Sequence, residues 1–296
     1  MSRPIPLTAQ REIAREFKAL PKWSETALTA LIVLFFTALS IAFFVPFYWM
    51  VVSSIKPVGE IFSRGFQLWP ETVTFNAYVT LITQRPFLRW YFNSIVMTAA
   101  HTVLTLGISA AAGYALAKFR FRGANAIFLI ILSSQLIPFH LRLIPLFLQM
   151  NQFGLINTYA GVVLPGIASP LGVFFMRQFM LSIDSDLLDA GRIDGASEWR
   201  IFWKIVLPLT KPALSTLGVL TSLGFWNDLL WPLIVMRTQN MFPLAVGLAS
   251  LTSTYRPQYD LLMAGSFLSV LPFIVFYLIA RRLFTSGLAI SAGIKG

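Results

Sequence analysis

The chain has no cysteine, only two histidines and few charges: 12% of its 296 residues are Asp, Glu, Lys or Arg, against about a quarter in ordinary soluble domains. Without cysteine there is neither a structural disulfide nor a thiolate metal site. His101 and His140 do not make a histidine-rich metal centre. The sequence contains no Gly-rich phosphate loop ending in Lys-Ser/Thr, no paired histidines at metal spacing and no Ser–His pair placed by a motif. A catalytic centre, a metal and a bound cofactor are therefore not expected. A cleavable leader is not expected either, because the first apolar run is too long for one and no small-residue cleavage site follows it.

What is present is apolar. Hydrophobic residues make up 56% of the chain and mean hydropathy is +0.72. Windows near 27–53, 93–117, 124–150, 157–180, 212–236 and 260–283 are long enough to cross a bilayer, which takes about 20 apolar residues each. The expectation is an all-α polytopic protein with six transmembrane helices: a cytoplasmic segment over 1–26 and one membrane domain over 27–296.

The net charge of +11 does not indicate a nucleic-acid binder, because of where the charge sits. Arg3, Arg11, Arg15, Lys18 and Lys22 precede the first window. Lys118, Arg120 and Arg122 follow the second; Arg177, Arg192, Arg200, Lys204 and Lys211 cluster between the fourth and fifth; Arg281, Arg282 and Lys295 close the chain. The opposite side holds fewer, among them Lys56, Arg85, Arg89 and Arg237. The positive-inside rule then puts both termini in the cytoplasm, and the basic groups lie beside anionic lipid.

Residues 1–25 read either as a short amphipathic surface helix or as a tail. Residues 54–92 form the longest external segment, broken by Pro57, Gly59, Gly65 and Pro70. In the second window Ser109 and Gly113 are four apart, a spacing that lets two helix backbones approach closely. Pro138, Pro145, Pro165, Pro170 and Pro272 fall within windows, where neighbouring helices can satisfy the carbonyls that proline leaves unpaired.

A polar stretch between the fourth and fifth windows, about 184–211, carries the most information. Asp184 and Asp186 suit a helix start. Leu187, Ala190, Gly191 and Asp194 fall on one side by the three-and-four spacing. Asp194-Gly195 is a turn signal, Ser197 can cap a second helix, and Phe202, Ile205, Val206 and Leu209 make one apolar stripe on it. The pattern is helix–turn–helix: by residues alone, either a helix on the bilayer surface or a docking element.

The ordered run Asp189-Ala190-Gly191, then Asp194-Gly195-Ala196, Phe202 and Leu207-Pro-Leu-Thr-Lys-Pro212 resembles the "EAA" cytoplasmic loop of ABC-importer permeases, with Asp189 where Glu is usual and Gly191 for the second Ala. Further stretches agree in order: Tyr114-Ala-Leu-Ala-Lys-Phe-Arg-Phe-Arg-Gly123, Phe153-Gly-Leu-Ile-Asn-Thr158, Phe225-Trp-Asn-Asp-Leu-Leu-Trp-Pro-Leu-Ile234 and Gly287-Leu-Ala-Ile-Ser-Ala-Gly-Ile-Lys-Gly296. Over residues 40–296 the chain is similar to the carbohydrate ABC-importer permeases, the smaller maltose-type subunit. The resemblance implies the type I importer permease fold with a cytoplasmic coupling helix, in a bacterial or archaeal inner membrane. It also implies a second permease subunit, two ATPase subunits that bind ATP and magnesium, and an extracytoplasmic sugar-binding protein. Asp186, Asp189, Ala190, Gly191, Asp194, Gly195, Ala196 and Phe202 would couple to the ATPase. Tyr255, Arg256 and Gln258 in the last external loop would contact the binding protein.

Polar groups inside spans are costly and often functional. Asn227 and Asp228, expected halfway along the fifth span beside Trp226, are candidates for a sugar pathway, as is Gln135 with Ser133 and Ser134 in the third. An interhelical bond is the competing role for Asn227. Arg142 is expected about 27 Å above the inner end of its span, at 1.5 Å per residue, snorkelling to the outer interface beside His140. Two other readings stay open: a permease for a sugar phosphate ester or polyol, and a stand-alone secondary transporter. The second predicts internal repeats and several buried ionisable groups; Asp228 is the one central acid.

Overall fold

The computed structural model describes residues 22–62, 67–252 and 258–275, and every regular element among them is helical. The N-terminal segment, Tyr255, Arg256 and the glycine-rich ending lie outside the described residues. The elements are α1 (Lys22–Ser54), α2 (Asn76–Thr83), α3 (Phe87–Lys118), α4 (Ala124–Ser133), α5 (Phe139–Gln152), α6 (Tyr159–Val163), α7 (Pro170–Leu181) and α8 (Ser185–Ile193). They continue with α9 (Glu198–Leu209), α10 (Lys211–Trp226), α11 (Leu230–Val235), α12 (Leu244–Ser250) and α13 (Tyr259–Val275).

Two of these helices, α1 and α3, are long and apolar enough to cross a membrane unbroken. The windows 124–150, 157–180 and 212–236, expected as continuous spans, are interrupted instead. Ala124–Leu136 and Phe139–Gln152 are bent by 99° and Tyr159–Gly166 and Pro170–Leu181 by 48°. The window 212–236 breaks at 227–229, between Lys211–Trp226 and Leu230–Val235, and a further bend of 75° precedes it, between Glu198–Leu209 and Lys211–Trp226. Proline accounts for the interruptions. Ile137, just before Pro138, is extended (φ −83°, ψ 112°), as is Ser169 before Pro170 (φ −86°, ψ 112°), because a proline ring disfavours helical backbone at the preceding residue. Pro232 has no N–H to return to the carbonyl four residues earlier, so α11 begins anew instead of continuing α10. Arg142 accordingly sits on a helix that runs across the fold, over the Phe139 ring at 5.8 Å, and not at the top of a straight span.

α3 contains no proline over 32 residues and is the axis of the fold. Its Ser109–Gly113 seam meets α7: a Cβ on Gly113 would stand 2.8 Å from Met176 Cβ, and one on Gly172 would stand 2.3 Å from Ser109 Oγ. Here the small residues set the distance between the two helices. Ala110, Tyr114, Met176, Met180, Leu188, Ile201, Val206 and Leu217 form an inner core beside that seam. Trp90, Phe87, Leu81, Trp226 and Leu244 form a second core around the other end of α3.

Side-chain hydrogen bonds pin the segment after α11 to that second end. Asn93 Nδ2 donates to Asn240 O and Phe242 O, both at 2.9 Å, and Trp90 Nε1 to Gln239 O at 2.8 Å. Tyr159 donates to Asn93 Oδ1. Asn157, at φ 60°, accepts from Arg237 N and Thr238 N at 3.0 and 3.2 Å. The Phe153–Thr158 motif thus encodes a turn whose asparagine tolerates left-handed backbone and clamps the far end of α11.

α1 stands apart: none of its apolar window is buried within the chain, and Leu31, Phe35 and Phe43 are open. Such a face belongs against lipid or another chain.

Candidate functional site

The loop over 184–211 folds as a helical hairpin. Asp184 caps α8 by accepting from Asp186 N at 3.0 Å, and Asp186 adds a carboxylate to the positive end of the helix. Main-chain bonds make the turn: Gly195 N donates to Arg192 O and Ala196 N to Gly191 O, each at 3.0 Å. This is the paired closure in which the residue past the cap is left-handed. Gly195 fills that position at φ 76°. The turn needs no Asp194 side-chain bond. Ser197 then caps α9 by accepting from Arg200 N at 3.3 Å.

α9 widens to π geometry over Phe202–Val206 before Pro208, and Leu207 N reaches back to Phe202 O. Pro208 cannot donate to Lys204 O and its ring crowds that carbonyl; the extra residue in the turn relieves the clash. Thr210, fully buried, bonds Leu207 O and Val206 O at the bend into α10.

The hairpin has distinct inner and outer faces. Leu188, Gly191, Ile201, Phe202 and Val206 are buried. A Cβ on Gly191 would lie 3.1 Å from Ile205 Cδ1, so Gly191 lets α8 rest on α9. Phe202 packs on Tyr114 at 5.3 Å. Of the residues singled out in the sequence, Gly191 and Phe202 therefore face the hairpin's own core, and Ala196 is half-buried. Asp186, Asp189, Ala190, Asp194 and Gly195 remain exposed.

The exposed face also carries residues that the periodicity did not single out. Ile193 is 86% exposed at the hairpin tip, and Trp199 and Trp203 are open as well, as is Leu187 of the predicted face. A lone isoleucine in a polar run was the available signal. Arg192 pairs with Asp189 at 2.5 Å and with Glu198 at 2.6 Å, and Tyr114 donates to Glu198 at 3.0 Å. The Arg192 guanidinium, and then the Tyr114 hydroxyl, hold the Glu198 carboxyl below its ordinary range, although partial burial opposes them. The Glu198 and Asp189 carboxylates in turn raise Arg192.

The mid-membrane candidates lie at the helix breaks. Asn227 ends α10, its amide donating to Leu223 O at 2.8 Å, so it sits at the break between α10 and α11. Asp228 follows, with the N–H groups of Leu230 and Trp231 facing its carboxyl. Trp226 turns inward and packs edge-on against Tyr91 and Phe273 at 5.8 and 5.5 Å. Gln135 is exposed on the turn between α4 and α5, while Ser133 and Ser134 bond their own helix. Gln258 accepts from Arg85 at 2.9 Å, and its N–H bonds Leu251 O, joining the start of α13 to the end of α12.

Comparison with known proteins agrees with this architecture. Residues 103–286 match the family described as "Binding-protein-dependent transport system inner membrane component". The arabinooligosaccharides transport system permease protein AraQ of Bacillus subtilis (strain 168) is 41% identical over 266 residues, covering 89% of this chain and 94% of that protein. The sn-glycerol-3-phosphate transport system permease protein UgpE of Yersinia pestis bv. Antiqua (strain Antiqua) is 36% identical over 205 residues, covering 69% of this chain and 73% of that one. A chain of a bacterial ABC transporter that imports the acidic polysaccharide alginate shares the fold, with a TM-score of 0.80 at 24% identity over 88% of this chain and 98% of its own. The protein is thus a permease subunit of the binding-protein-dependent transport system inner membrane component family, a transporter component and not a member of an enzyme family.

Proposed function

We propose that this chain is half of the translocation pathway of an ATP-driven carbohydrate importer. It pairs with a second permease subunit, takes work from two ATPase subunits and receives sugar from an extracytoplasmic binding protein. The observation that carries the carbohydrate reading is the similarity to an arabinooligosaccharide permease along 89% of the chain. The glycerol-phosphate relative covers 69% at lower identity and keeps a phosphate ester as the second reading.

The hairpin of α8 and α9 is the docking element for an ATPase subunit. Asp186, Asp189, Ala190, Asp194 and Gly195, with Leu187 and Ile193, present a small mixed surface to it. Gly191, Ala196 and Phe202 act from behind by fixing the hairpin's shape. Six spans with both termini in the cytoplasm place this tip inside. The uncovered face of α1 is available to the second permease. Gln258, held by Arg85, with Tyr255 and Arg256 makes the contact to the binding protein. Asn227, Asp228 and Gln135 border the pathway, and Trp226 supports its wall.

The test is reconstitution with the candidate partners. Co-purification with an ATPase subunit, and uptake of arabinotriose or lactose dependent on ATP and a binding protein, are expected. Uptake of sn-glycerol 3-phosphate to the exclusion of sugars would favour the second reading, and uptake by the chain alone, driven by an ion gradient, would overturn both.

A further inference from the structure

Two of the helix interruptions meet at one place. Gly166 and Ser169, between α6 and α7, and Asp228, between α10 and α11, border the same cavity of about 420 Å³ beside α3. Irregular backbone at membrane depth persists where it is enclosed by protein or lines a polar cavity, and broken helices commonly frame solute sites. The volume lies in the range of small-molecule sites, about 300–1,000 Å³.

The lining is chemically specific. Ser169, Thr221 and Asp228 contribute oxygens from the two breaks and from α10. From α3 come His101, 8% exposed, and Thr105, fully buried; His101 Nδ1 and Thr105 Oγ1 have no partner among the described residues. His101 Nε2 faces the Gly166 backbone, so a neutral ring that donates from Nε2 keeps Nδ1 as an acceptor. The Phe225 ring stacks on His101 at 4.2 Å and 21°, adding a flat apolar wall. A buried polar atom without a partner costs about 1–3 kcal/mol, and a ligand with several hydroxyls would satisfy several of these at once. The Asp228 carboxyl disfavours an anion. Among the described residues no cluster of three or more His, Asp or Glu is present to hold a metal cation.

We propose that this cavity is a subsite for a neutral, polyhydroxylated solute, which a sugar ring contacts as it passes through this subunit, with His101 and Thr105 as its recognition groups. The assignment rests on the carbohydrate reading and adds that the substrate is uncharged at this point.

The test uses the assembled importer in proteoliposomes, with arabinotriose as probe and Thr221→Cys as a reporter in this cysteine-free chain. Saturating arabinotriose, delivered by the binding protein, is expected to slow methanethiosulfonate modification of that cysteine at least about fivefold. Thr105→Val keeps the side-chain shape and removes one hydroxyl; it is expected to raise the arabinotriose concentration for half-protection about fivefold, the effect of one neutral hydrogen bond, with assembly of the complex intact. Uptake of arabinotriose without protection, or a half-protection point that Thr105→Val does not move, overturns the subsite and leaves the importer reading standing. Failure of the unmodified complex to take up arabinotriose or lactose overturns the carbohydrate reading and the subsite with it.

Discussion

The hydroxyl of Tyr114 donates to Oε2 of Glu198 across 3.0 Å, tying the C-terminal end of α3 to the first turn of α9. Arg192 reaches the same carboxylate from α8, so one acid holds three helices.

That arrangement predicts a pH dependence. The folded-state pKa of Glu198 is lowered, chiefly by Arg192. Its contribution is therefore complete above the ordinary carboxylate value and is lost as pH falls through the lowered one. The Glu198 side chain is 42% exposed, so solvent screens the pair and the contribution is about 0.2–1 kcal/mol. Glu198→Gln is expected to lower the Tm of the detergent-solubilised protein at pH 7, and the difference should vanish in strong acid. A difference that is constant with pH would assign the loss to packing.

Gly195 isolates backbone strain from crowding. It lies at φ 76°, and a Cβ there would meet nothing within 4 Å. Gly195→Val carries the left-handed penalty of about 1–2 kcal/mol, whereas Gly195→Asn tolerates the conformation. Valine is expected to reduce both uptake and the ATPase subunit retained on an affinity-tagged permease, with insertion intact. Asparagine should keep most of both. Equal retention by the two variants would remove the turn geometry from the docking surface.

The seam between α3 and α7 predicts opposite outcomes for two glycines of one helix. Gly113→Leu has no room beside Met176, while a Cβ on Gly107 meets nothing within 4 Å. Overpacking costs about 1–3 kcal/mol. Membrane accumulation of Gly113→Leu is expected to fall severalfold and that of Gly107→Leu to match the parent. Equal accumulation would show that the helices separate without cost.

Orientation is open to direct measurement. Ser197 sits at the hairpin and Thr252 just past the end of α12. In the cysteine-free chain, Thr252→Cys should react with an impermeant maleimide in right-side-out vesicles and Ser197→Cys should react only after permeabilisation. The reverse pattern would invert the topology.

The hairpin was legible in the sequence because its signals are local. Asp184, Ser197 and Asp194-Gly195 each act on backbone within a few residues, and the structure shows two capped helices at those places. The Ser109–Gly113 seam was legible for the same reason, although only the structure names Gly172 and Met176 as what it meets. The 99° turn at Pro138 was not legible. A proline within an apolar window is compatible with a kink or with a break, and the neighbours that decide between them are remote in sequence. The inward turn of Gly191 and Phe202 escaped for a related reason: periodicity defines a face but not what covers it. The His101–Phe225 cavity joins residues on separate helices, and no spacing rule connects them.

The buried side of the hairpin bears on how load travels. Leu188, Ile201 and Val206 share one close-packed core with Met176, Met180 and Ala110, and such interiors compress little. Displacement of the tip at Ile193 therefore arrives at α7 and the C-terminal half of α3 with almost no slack. In mechanical terms the hairpin is the foot of a stiff strut, and a stroke of a given length at the tip is delivered to the helices that frame the cavity at nearly that length.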